Sequence, residues 1–61
     1  MDANELEQKR KNMKRAMEIR AELFDLANSF AGERTGIIAV QLHGACNEIL
    51  RAKRDADDIL R

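Results

Sequence analysis

From Ile37 to Leu60 the apolar residues fall at Ile38, Leu42, Ala45, Ile49, Ala52, Ala56 and Ile59. The steps alternate four and three without a break, which is a heptad seam. Large and small side chains share it. A helix carrying such a seam is built to lie close against another helix, so the rest of the chain is read as what this helix packs on.

The 61 residues make one domain at most, 1–61, and a chain this short buries too little surface to be more than marginally stable alone. Disulfides, a metal or association are the usual remedies. The single cysteine, Cys46, excludes an intrachain disulfide, and one His with one Cys cannot complete the usual structural zinc site. Association remains. No proline, three glycines and nine alanines, with 36% charged residues, read as helix. The only aromatic residues are Phe24 and Phe30, so stacking platforms for single strands are nearly absent. The acidic start (Asp2, Glu5, Glu7) is unlike a secretory signal, and the longest apolar run, Ile37 to Val40, is far short of a membrane span. The expectation is a cytoplasmic protein that uses no membrane.

Helix one is expected over about 3–31. Asp2 is its N-cap, with Glu5 three residues on as in a capping box. Glu5 with Lys9 and Glu7 with Lys11 are i,i+4 pairs in the favourable order, while Lys14 with Glu18 is reversed. Two apolar rows run along it, Leu6, Met13, Met17, Phe24, Ala27, Ala31 and Ala16, Ile19, Leu23, Leu26, Phe30, and together they cover more than one seam near residues 16–31. One partner helix leaves part of that surface wet; two cover it.

Gly32 to Gly36 is the only strong break. Gly32 sits where a left-handed residue would end helix one, and Thr35 where a cap would start helix two, expected over about 37–60. So short a link makes the helices antiparallel neighbours. With Arg34 at the apex, Phe30 meets Ile38, Leu23 meets Ala45, Ile19 meets Ile49 and Ala16 meets Ala52. Arg51–Asp55, Lys53–Asp57 and Arg54–Asp58 are base-first pairs, and the terminal acids oppose the helix dipole, so fraying is expected after Ala56. Gly44 lies on the outer side of the seam, at a cost of about 1 kcal/mol relative to Ala, and suits close approach of another chain.

The fold class is therefore all-α: an antiparallel two-helix hairpin that dimerises into a four-helix bundle. In length, position of the break and alternation of Ala with large residues, the layout resembles Rop, a plasmid-encoded RNA-binding hairpin protein, with no shared sequence motif. Architecture alone carries no function. Small accessory regulators of this kind are often phage- or plasmid-encoded.

Residues 9 to 20 hold six bases, Lys9, Arg10, Lys11, Lys14, Arg15 and Arg20, against Glu18; residues 22–50 hold four acids against Arg34. The bases form a candidate binding patch, for an acidic protein or for phosphates, or a solvated face. Arg20 falls within the apolar face of helix one, positioned to pair with Glu48. The expected dimer or partner interface is Met13, Met17, Phe24, Leu42, Ala45, Ile49 and Ala52. Without a dimer, the Met row together with Ile19, Leu23, Leu26 and Phe30 is a docking groove for a partner helix.

His43 and Cys46 are two possible metal ligands where four are needed, and the bland reading is a surface His beside a half-buried Cys. Nucleophilic catalysis would need Cys46 or Ser29 beside a positioned base. Gly32 and Gly36 form no phosphate loop, and a helical hairpin is expected to lack a cleft of several hundred Å³. No enzyme activity, cofactor, metal or small-molecule substrate is expected. The reading is a small regulatory or adaptor protein that binds itself and a protein partner. The alternative is an RNA- or DNA-binding regulator that uses the basic face of helix one in a dimer.

Overall fold

A computed structural model describes residues 1–61 as two helices, α1 (Ala3–Ser29) and α2 (Gly36–Ile59), packed side by side. No strand is present. The hairpin measures 50 × 16 × 10 Å between Cα extremes. Its radius of gyration, 14.6 Å, exceeds the roughly 10.5 Å of a compact chain of this length. It is a slab one helix thick.

The start of α1 is as its sequence implies: Asp2 is extended and its Oδ1 accepts the Glu5 backbone N–H at 2.8 Å. The end differs. No residue has a positive φ, so Gly32 provides no left-handed stop. Instead the Phe30 and Ala31 N–H groups tighten onto the Ala27 and Asn28 carbonyls, both at 3.1 Å. Thr35 stands just before α2, but its hydroxyl donates to the Phe30 carbonyl and caps no amide of α2. It thus serves the orphan carbonyls of α1.

The level register agrees with an apex near Arg34: Arg20 lies beside Cys46, Phe24 beside His43 and Arg10 beside Leu60. The faces do not. α2 turns Ala39, Leu42, Cys46, Ile49, Lys53, Ala56 and Leu60 inward, a seam one residue on from the expected one. Of the pairs expected to face each other, Phe30, Ile38, Ile19, Ala45 and Ala52 are all exposed. The physical reason is the size of the contact residues, which sets interaxial distance. The buried residues are small, Ala27, Ala39 and Cys46, and they let the axes approach.

Arg20 occupies the middle of this contact. Its Nε–H donates to the Cys46 carbonyl at 3.0 Å, and the Cys46 thiol points back at the Arg20 carbonyl at 3.8 Å. The expected Arg20–Glu48 pair does not form, since Glu48 pairs with Arg51 at 3.0 Å. Cys46 is fully buried rather than half-buried, and His43 is not a free surface side chain. It is half-buried, with Nε2 3.1 Å from Asn28 Oδ1 and its ring edge-on to Phe24.

Of the i,i+4 pairs, Glu7–Lys11 (3.7 Å) and Lys53–Asp57 (2.6 Å) form. Arg15, Arg51 and Arg61 choose i,i+3 partners instead, Glu18, Glu48 and Asp58. These pairs are solvent-exposed and worth a few tenths of a kcal/mol each, about 0.2–0.5. The end of α2 lies close to the expected position near 60. The helix runs to Ile59, the Leu60 N–H bonds the Ala56 carbonyl at 2.8 Å, and the Leu60 carbonyl accepts from Arg10 Nε at 2.8 Å. The cross-hairpin bond gives a carbonyl at the negative end of α2 a cationic donor.

Two stability measurements check this arrangement. Removing the guanidinium in Arg20→Met should cost about 0.5–1.5 kcal/mol in urea denaturation, and Arg20→Glu more, because a carboxylate cannot donate to the Cys46 carbonyl. A Cβ built at Gly44 meets nothing within 4 Å, so Gly44→Ala should raise stability by about 1 kcal/mol; a loss would mean that another chain approaches there.

Candidate interaction surface

At 100° per residue, the seam divides the hairpin into two broad faces. One is marked by contacts across the helices, Phe24 with His43 and Asn28 with His43, and by a groove that both Met17 and Lys53 line. Arg10, Lys14, Leu50 and Asp57 lie on this side, which is mixed in character. The opposite face carries Ala16, Ile19, Leu23, Leu26 and Phe30 from α1, and Ile38, Leu42, Ala45, Ile49, Ala52 and Ile59 from α2. On it Leu26 is 57% and Ile59 71% exposed. No charged side chain interrupts it between levels 16 and 30 of α1.

On the mixed face, the open end of the hairpin forms a groove of about 440 Å³. Met13, Met17, Ala56 and Leu60 supply its apolar lining, and Arg10, Lys14, Lys53 and Asp57 its polar atoms. The expectation that a hairpin has no cleft of this size is therefore corrected. The helix ends stand around side chains long enough to wall a depression between them. Asp57 is engaged by Lys53, both carboxylate oxygens lying 2.6 Å from Nζ. That leaves Arg10 and Lys14 as the uncompensated charges of the rim.

The six bases do not make one face. Arg20 turns into the seam, and Arg10 spends its Nε on the Leu60 carbonyl. Lys11 and Arg15 project from the outer side of α1, beside Glu7 and Glu18. Lys9 and Lys14 belong to no ion pair. At 100° steps Lys9, Arg10, Lys11, Lys14 and Arg15 wrap round the helix, and only Arg10 and Lys14 share the groove.

The expected interface residues also divide. Met13 and Met17 line the groove, and Phe24 stacks on His43 along the same side. Leu42, Ala45, Ile49 and Ala52 belong to the apolar face. The sequence reading missed Lys53, Ala56, Asp57 and Leu60 as groove residues. Their signal was the second heptad, 39, 46, 53 and 60, which a charged Lys53 disguises although its stem can cover apolar surface.

No three His, Cys, Asp or Glu side chains come together as a metal-binding set, and Cys46, 1% exposed, is shielded from solvent. No helix is long and apolar enough to cross a membrane. What the arrangement offers chemically is surface: an apolar face, and an apolar groove with a cationic rim. Comparison with protein-family models, with curated proteins and with solved structures returned no match.

Proposed function

We propose that the chain is a small non-enzymatic regulatory or adaptor protein that works as a homodimer, a four-helix bundle of two hairpins, and docks on a protein partner. The observation that carries this reading is the groove at the open end. Met13 and Met17 are unbranched and polarizable, and line a site that adapts to more than one apolar anchor. Arg10 and Lys14 stand at its rim. A partner segment with an apolar side chain flanked by carboxylates satisfies both, in the manner of a helix laid in a groove. The apolar face on the other side supports the dimer, because a slab of this shape cannot bury that face itself.

A second reading has one observation in its favour. Lys9 and Lys14 stand outside the ion pairs of the chain, and two subunits would present them twice to an RNA or DNA backbone. The spread of the bases round α1 weighs against a single phosphate-tracking surface.

The test is a pull-down of the tagged protein from lysate of its source cell, with and without nuclease, at two salt concentrations. The protein-partner reading expects a discrete band that survives nuclease and is nearly insensitive to salt. Met17→Asp should weaken its capture at least about tenfold, equivalent to ~1.4 kcal/mol, while leaving the oligomeric state unchanged. Loss of all bound material with nuclease, and affinity falling by about one log unit per log of salt for each phosphate contact, would replace it with the nucleic-acid reading. Under that outcome Lys14→Gln lowers the salt slope and Met17→Asp has little effect.

A further inference from the structure

The apolar face opposite the groove has no cover within the chain: Ile19, Leu26, Phe30, Ile38 and Ile59 are all exposed on it. The chain exposes 4855 Å², against roughly 4,000 Å² for a compact protein of its mass. Two chains merging into a bundle of ordinary surface for the doubled mass would bury roughly 3,000 Å² in total. That lies within the range of obligate homodimer interfaces, about 2,000–5,000 Å². The area fits a second copy.

The direction of that copy follows from how apolar residues are distributed. Two hairpins can stack face to face in two symmetric ways. Turn over open end, each helix lies against its own counterpart, reversed. Turn beside turn, α1 of one chain lies along α2 of the other. The expected seam of α2 reads equally well either way, because its heptads run nearly to its end. α1 decides. Its apolar side is confined to residues 16–30, the turn half, and its open half carries Glu5, Gln8 and Asn12 on that side. End-over-end stacking sets Leu26 and Phe30 on those polar residues. Parallel stacking sets them on the apolar turn half of the partner subunit's α2.

Resting on the dimer reading above, we propose that a second copy covers this face in parallel alignment, turn beside turn, with α1 of each subunit packed along α2 of the other. The levels then match: Leu23 meets the partner subunit's Ala45, Ile19 meets the partner subunit's Ile49, and Ala16 meets the partner subunit's Ala52. The heptad seam and the level register written into the sequence are thus realised between chains. The one-residue rotation of α2 within the hairpin is what leaves Ile38, Ala45 and Ala52 exposed, with half-buried Ile49 shared between the two seams. Both grooves then stand at the same end of the bundle, facing outward on opposite sides.

The full chain carrying one nitroxide at Glu33→Cys, in a Cys46→Ala background or, should that fail to fold, Cys46→Ser, tests this by pulsed dipolar spectroscopy. With one label per chain every distance is between subunits. Parallel stacking puts the labels within about two interaxial spacings, roughly 20 Å. A separation near the 50 Å length of the hairpin would overturn the alignment and leave the dimer standing. No dipolar coupling, together with a monomeric mass by sedimentation, would overturn the dimer as well. The same preparation labelled at Arg61→Cys should also give a short distance. Unlabelled Leu23→Asp should halve the sedimenting mass and Met17→Asp should not; the reverse result would move the interface to the groove face and sink the proposal.

Discussion

An arginine in the middle of a helix seam fixes how this hairpin faces. Arg20 sits where a heptad reading wants an apolar side chain, and it is accommodated by giving its Nε–H to the Cys46 carbonyl across the interface. A charged side chain in that position tolerates few rotations of the partner helix. It needs an acceptor at hydrogen-bonding distance and a small neighbour beside it, and Cys46 supplies both. The orientation of α2 follows from those two demands. So does the division of the molecule into a mixed face and an apolar one.

Much of the architecture was legible in the residues. The Asp2 cap, the break at 32–36, the two long helices and the level register all follow from local signals that tertiary packing had no cause to override. The inward face of α2 did not follow. Two seams one residue apart, 38–45–52 and 39–46–53, share Leu42, Ile49 and Ala56, and apolar periodicity favours the first because Lys53 spoils the second. Packing chose the second, since Ala39 and Cys46 are small and Lys53, half-buried, joins Ala56 and the two Met residues in lining the groove. The same ambiguity hid the groove, half of whose lining comes from the end of α2. Nothing local to Leu60 announces that Arg10, fifty residues earlier, will hold its carbonyl.

The two faces have different physical characters, and this bears on how a chain of neutral formal charge can be selective. On the apolar face recognition would rest on shape, through alternating large and small side chains. At the groove it would rest on a pair of uncompensated cations over a Met-lined floor. A molecule suited to one surface would gain little from the other, so the two would not compete.

The thinness of the slab has a further consequence for its dynamics. With a Cα thickness of 10 Å there is no interior layer, and each backbone amide lies within one helix radius of solvent. Slow hydrogen exchange normally reports the most cooperative, deeply buried unit of a domain. An isolated hairpin has no such unit beyond the few residues around Arg20 and Cys46. Were a second copy to cover the apolar face as proposed, protection of its amides would rise by mass action with the concentration of that cover. Rigidity would then be conferred from outside the chain.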